Sequence, residues 1–202
     1  MLSFALTGLY AVLGLMFLGW VASVIKNDTS VVDILWGPAC LLTGVVYFLQ
    51  TPEPSLRSML VLGLAFLWAL RLALFVGIRN HGKPEDRRYA EMRERNGASW
   101  RWRSLVTVFV LQAVLAWIVS VPLLGIVGSP AELNLLDYLG LAIAVFGLAF
   151  ETIADLQMAA FQSHEKNKGG VMNKGLWRYS PTKYKIRRSN SDAGCSDTNP
   201  CS

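Results

Sequence analysis

Long apolar runs alternate with short polar connections along this chain. Five of them are near or above 20 residues: Phe4–Ile25, Val31–Gln50, Leu56–Ile78, Ser104–Val127 and Leu135 to about Asp155. About 20 apolar residues, each rising 1.5 Å, cross a hydrocarbon core of roughly 30 Å. No water reaches the backbone there, so each run must satisfy its own N–H and C=O groups as a helix. The pattern therefore predicts an all-α, polytopic transmembrane helix bundle of about five spans. Pro38 lies inside the second run and predicts a kink, and Thr51–Pro54 predicts a tight turn. Gly140 and Ala144 on the fifth run offer a small-residue face for close helix packing.

Composition agrees with the pattern. The chain of 202 residues is 53% hydrophobic and 16% charged, against about 25% charged in soluble domains. No Lys or Arg precedes the first run, so it reads as a retained span and not as a signal peptide. Cys40, Cys195 and Cys201 form neither a disulfide framework nor a zinc spacing, and His81 and His164 stand apart. No metal and no nucleic-acid partner is expected; the bilayer is.

Charge then orients the spans. The 79–103 connection holds eight Lys and Arg, and the segment after residue 162 holds another eight. The 26–30 turn holds Lys26, whereas 51–55 and 128–134 hold none. By the positive-inside rule the N-terminus is outside, with the 79–103 loop and the C-terminal segment cytoplasmic. A bacterial inner membrane is the expected location.

Ionisable groups in or beside spans are the candidate chemistry, because burying them in lipid is costly. Arg71 lies eight residues before Arg79, about 12 Å into the third span. That is deep for snorkelling and points to a buried partner or an anion-binding cavity. Glu151 and Asp155 are four apart, on one helix face, where they repel each other and the C-terminal dipole opposes both. They call for a cation or a ligand's donors. Asp33 has two open readings. Ser30-Val-Val-Asp33 matches a capping box, in which Asp33 bonds back to Ser30; alternatively Asp33 is an acid facing a cavity. The 79–103 connection is either a solvated loop meeting anionic lipid or a lid of arginines over an anionic cofactor.

Certain blocks resemble a family. They are "DILWG" at 33–37, "WALRL" at 68–72, "RNHGKPEDRRY" at 79–89, "WRWRSLVTVFVLQ" at 100–112, "FETIADLQMAAF" at 150–161 and "GLWRYS" at 175–180. In this order they resemble bacterial DUF1295 proteins, related to the C-terminal domain of steroid 5-alpha-reductases. The resemblance implies a membrane-embedded oxidoreductase that uses NADPH to reduce a conjugated carbon–carbon double bond in a small lipophilic, lipid or steroid-like substrate. It assigns Asp33 to the substrate carbonyl, as the catalytic acid. It assigns Arg71, Asn80, Lys83, Glu151, Asp155, Trp177 and Tyr179 to the cofactor. Isoprenylcysteine-type methyltransferases, which use S-adenosylmethionine, share the "GLWRYS" style of motif and are the alternative enzyme class. A small non-enzymatic membrane protein is the third reading.

After Ser180 the resemblance breaks. The family continues in the style of "RHPNYFGE" and then more apolar helix, whereas residues 181–202 are polar. The expected organisation is a partial reductase-like helical domain over 1–180 and a polar tail over 181–202, whose composition predicts disorder. A truncation or frameshift would leave the cofactor loop and the bundle incomplete, with cofactor binding impaired.

Overall fold

The computed structural model describes residues 2–128, 132–164 and 171–179. The tail predicted over 181–202 lies outside the described residues. All the long elements are helices: α1 (Leu2–Lys26), α2 (Val31–Leu49), α3 (Leu56–Asn80), α4 (Arg87–Asn96), α5 (Trp100–Ser104), α6 (Leu111–Val127) and α7 (Leu135–Ser163). A π-helical segment, Leu105–Val110, joins α5 to α6 into one rod. Among the described residues five helices are long and apolar enough to cross a membrane, namely α1, α2, α3, the rod and α7. The all-helical, membrane-spanning architecture expected from the apolar runs is what the chain adopts.

The chain divides into two compact units, Met1–Phe146 and Gly147–Ser202. In the first, α2 is the central helix and packs on α1, α3 and α6. Its core joins Val12, Met16 and Trp20 of α1 to Val32, Ala39 and Cys40 of α2 and to Val108, Phe109, Ala113 and Ala116 of the rod. The outer faces are apolar as well. Leu67, Leu70 and Leu74 on α3 are each about half exposed, a distribution that suits hydrocarbon as solvent.

Helix spacing in this unit is set by glycines other than the one singled out in the sequence. A Cβ at Gly37 would lie 2.9 Å from the Ala69 carbonyl oxygen, so α2 and α3 touch backbone to backbone there. A Cβ at Gly140 would meet nothing within 4 Å. The small-residue pair on α7 is thus not a close-packing face in this unit. Pro38 lies inside α2, which continues through it as one helix.

The π-helical segment was not legible in the sequence. Within it the consecutive residues Val108 and Phe109 both lie in the core. The basic connection is also more ordered than a lid or loop. Asp86 caps α4 by accepting the Arg88 N–H, and Gly97, at φ +54°, ends it. At the opposite end of the unit, Arg57 of α3 pairs with Asp137 of α7 at 2.6 Å and donates to the Glu132 carbonyl at 2.8 Å.

The second unit contains the later part of α7 and the 171–179 segment. Gly175–Tyr179 forms a 3-10 turn against α7: Leu176 N–H donates to Gln157 Oε1 at 2.9 Å and Trp177 Nε1–H to the Ala154 carbonyl at 3.0 Å. Gly175 has φ +60°, and a Cβ there would fall 2.3 Å from Gln157 Oε1. The fifth span, expected to end near Asp155, runs on to Ser163 and so provides this docking surface.

Candidate functional site

A network of polar residues of the first unit forms at its basic end, where the α1–α2 turn meets the Glu85–Tyr89 segment. Glu85 is the hub. Its Oε1 accepts the Thr29 N–H at 2.7 Å and Arg93 Nη2 at 2.8 Å, and its Oε2 accepts Arg93 Nε at 3.0 Å. This is a two-pronged arginine–carboxylate contact, whose geometry fixes both partners. Arg93 also donates to the side chain of Asn27 and, at 3.1 Å, to its carbonyl. Asn27 takes φ +54°, which turns its carbonyl toward the arginine. Asp86 N–H donates to Ser30 Oγ at 2.8 Å, and Trp100 Nε1–H to Thr29 Oγ1 at 3.3 Å.

This stitching brings α4 over the start of α2. Tyr89, the buried residue of α4, extends into the core cluster and its hydroxyl donates to Asp33 Oδ1 at 2.9 Å. Arg88 Nη2 lies 3.3 Å from Asp33 Oδ2. The capping-box reading of Asp33 is therefore overturned. Ser30 makes no side-chain cap bond; its N–H donates to Asp28 and its hydroxyl accepts from Asp86. Both Asp33 oxygens instead face α4, 55 and 56 residues away in sequence. The capping motif loses because Asp28 already takes the Ser30 N–H, while a buried tyrosine hydroxyl and a guanidinium compete for Asp33.

Electrostatics follow the same contacts. Burial alone would push the Glu85 carboxyl up, but the hydrogen bonds from Arg93 and Thr29 outweigh it and hold it below the ordinary range. Asp86 is likewise held low, since bonds from Arg88 outweigh its burial.

A family model, DUF1295, described as a protein of unknown function, matches residues 19–182. The chain belongs to the DUF1295 family. No curated protein and no solved structure matches it.

In this DUF1295 protein the residues assigned from sequence fall into two groups. Asp33, Arg71, Asn80 and Lys83 belong to the first unit, and Glu151, Asp155, Trp177 and Tyr179 to the second. Asn80 ends α3 and accepts from Arg79 at 3.3 Å; Lys83 N–H donates to the Asn80 carbonyl at 3.1 Å across Gly82, which has φ +70°. Arg71 is half-buried within α3, while Tyr179 is exposed. Trp177 is held on α7 next to Asp155 by its bond to Ala154.

The sequence reading missed Tyr89, Glu85 and Arg93, and took the arginines of 79–103 as a group. Most are committed within the chain. Arg87 and Arg95 pair with Glu91, Arg88 with Asp33 and Asp86, Arg93 with Glu85, and Arg103 with Asn96. A tyrosine in the middle of a charged decapeptide was the available signal. A lone aromatic in a solvated helix needs an apolar surface to face.

Proposed function

We propose that this protein is a membrane-embedded reductase that adds hydride from NADPH to a carbon–carbon double bond conjugated to a carbonyl in a lipid or steroid-like substrate. The observation that carries the reading is the Tyr89 hydroxyl on the Asp33 carboxylate, 2.9 Å apart at the basic end of an apolar bundle. Such a pair suits polarisation of a carbonyl oxygen. With the proton on Asp33, its O–H donates to the tyrosine oxygen and frees the tyrosine O–H for the substrate. Arg88 draws the pair toward the ionised form once that proton is passed on. NADPH, when bound, supplies the hydride to the β-carbon. Electrons of the double bond move to the carbonyl oxygen, which takes the proton passed from the pair and becomes an enol. The α-carbon then takes a proton from water as the enol O–H returns its own to the pair, so one hydride and one proton are added in all.

Arg79, Asn80 and Lys83 fit the anionic part of the cofactor. They cluster at the end of α3, and among the described residues neither Arg79 nor Lys83 has a carboxylate within ion-pair distance. Glu151, Asp155, Trp177 and Tyr179 come to this role from the resemblance alone. A cytoplasmic position for the basic end, from the positive-inside rule, would present it to a soluble dinucleotide.

The test uses the full chain purified in detergent, with thermal shifts measured against NADPH and S-adenosylmethionine. It is followed by NADPH oxidation in the presence of an enone lipid or steroid. A shift with NADPH and enone-dependent oxidation are expected. Stabilisation by S-adenosylmethionine in its place would assign the chain to the methyltransferase class and end the reductase reading.

A further inference from the structure

The same end of the first unit carries a cleft of about 290 Å³ that Arg93 lines and neither Asp33 nor Tyr89 does. Its wall is built by the end of α1 (Ser23), the α1–α2 turn (Asn27, Thr29), Arg93 of α4, and Trp100 and Arg101 of α5. Two guanidinium-bearing residues line it and no carboxylate does. Arg93 is already neutralised by Glu85. Among the described residues Arg101 has no ion-pair partner, and its side chain is exposed. The cleft therefore has an excess positive charge.

An aromatic stack adjoins it. Trp20 lies 5.3 Å from Trp102 and 5.6 Å from Phe17, ring centre to ring centre, and Trp20 Nε1–H donates to the Arg101 carbonyl at 2.9 Å. Tryptophans gather at the headgroup level of a bilayer. Trp102 is 66% exposed and Ile25, one residue past the cleft-lining Val24, is 79% exposed. The Arg101 backbone is thus held beside an exposed tryptophan, the residue type of the headgroup level, with exposed apolar side chains nearby for acyl chains. The volume is at the lower end of the roughly 300–1,000 Å³ of small-molecule pockets, which suits a headgroup better than a dinucleotide.

We infer that this cleft binds the phosphate of an anionic phospholipid headgroup, held by the charge of Arg101 together with the side-chain N–H groups of Asn27, whose oxygen is taken by Arg93. The site is separate from the Asp33–Tyr89 pair and does not depend on the reductase reading.

The experiment measures thermal stability of the full chain in dodecyl maltoside with added phosphatidylglycerol, phosphatidylcholine, inorganic phosphate, glycerol 3-phosphate or NADPH. Phosphatidylglycerol is expected to raise the melting temperature, with phosphatidylcholine ineffective. Arg101→Gln is expected to weaken half-saturation about tenfold, the loss of one charge-assisted contact. Arg101→Lys keeps part of the effect and serves as the folding control. Arg87→Gln, on the same basic segment but outside the cleft and paired to Glu91, keeps all of it. Equal losses in Arg87→Gln and Arg101→Gln would mean diffuse charge and overturn the site. Equal protection by phosphatidylcholine, or none by any lipid, would overturn it too. Protection by inorganic phosphate, glycerol 3-phosphate or NADPH that Arg101→Gln abolishes would assign the cleft to a soluble anion and overturn the lipid source.

Discussion

At Asp33 two oxygens have two partners, and the partners predict different failures. Tyr89→Phe removes only the hydroxyl and leaves the ring in the core cluster. Under the reductase reading it lowers kcat/KM by about 10²-fold or more with little change in melting temperature. Asp33→Asn should lose activity similarly. If Tyr89→Phe keeps full turnover while the protein loses stability, the pair is a structural contact only. Glu85 makes a separate prediction. Its folded pKa is depressed, so its contribution is present above its unfolded value and lost as pH falls through the folded one. Glu85→Gln should cost about 1–3 kcal/mol near neutral pH, because Arg93 and the Thr29 N–H lose an anionic acceptor. The difference in melting temperature between wild type and variant should be flat above roughly pH 5 and shrink below roughly pH 4. A difference that grows on acidification would contradict the assignment. Which of these residues mattered was only partly legible. Asp33 was singled out for being ionisable at the edge of a span, but its partners were not, since they lie more than 50 residues away.

Among elements, α2 depends on bare backbone at Gly37. Gly37→Ala puts a methyl 2.9 Å from the Ala69 carbonyl oxygen and 3.0 Å from its Cα, neither of which can rotate aside. The helices must separate, and overpacking of this kind costs about 1–3 kcal/mol. Gly140→Ala meets open space and should be neutral or stabilise by up to about 1 kcal/mol, as alanine is the better helix former. Thermal melts in detergent of the two variants decide this; equal losses would refute the close α2–α3 approach. The number and approximate place of the spans were readable because length and apolarity in lipid leave one solution; the end of the fifth, at Ser163 and not near Asp155, was not. The π-helical turn and the capped α4 were not. Both carry residues of a core built by other helices, Val108 and Phe109 on the first and Tyr89 on the second.

For the whole molecule, the 26–30 turn and the 85–100 segment lie at one end of the first unit, joined through Thr29, Glu85 and Trp100. The lysine- and arginine-free 51–55 connection lies at the other end, where Arg57 of α3 donates to the Glu132 carbonyl. Orientation in the membrane is then a single binary question. In a background lacking the native cysteines, Glu53→Cys should react with an impermeant maleimide on intact cells and Lys83→Cys only after lysis. The reverse pattern would put the basic end outside, away from cytoplasmic NADPH.

The sequence alone determined that this protein is a helical membrane bundle, how many spans it has and roughly where they lie, which end is basic, and that it resembles DUF1295 proteins. Those properties depend on length, composition and order, which need no knowledge of neighbours. Tertiary structure decided the rest: that Asp33 faces Tyr89 and not its own helix start, that Gly37 and not Gly140 brings helices together, and that most of the arginines are already paired. Each of these is a competition among partners distant in sequence. Burial settles such a competition by removing water, and only the assembled helices determine what is buried together.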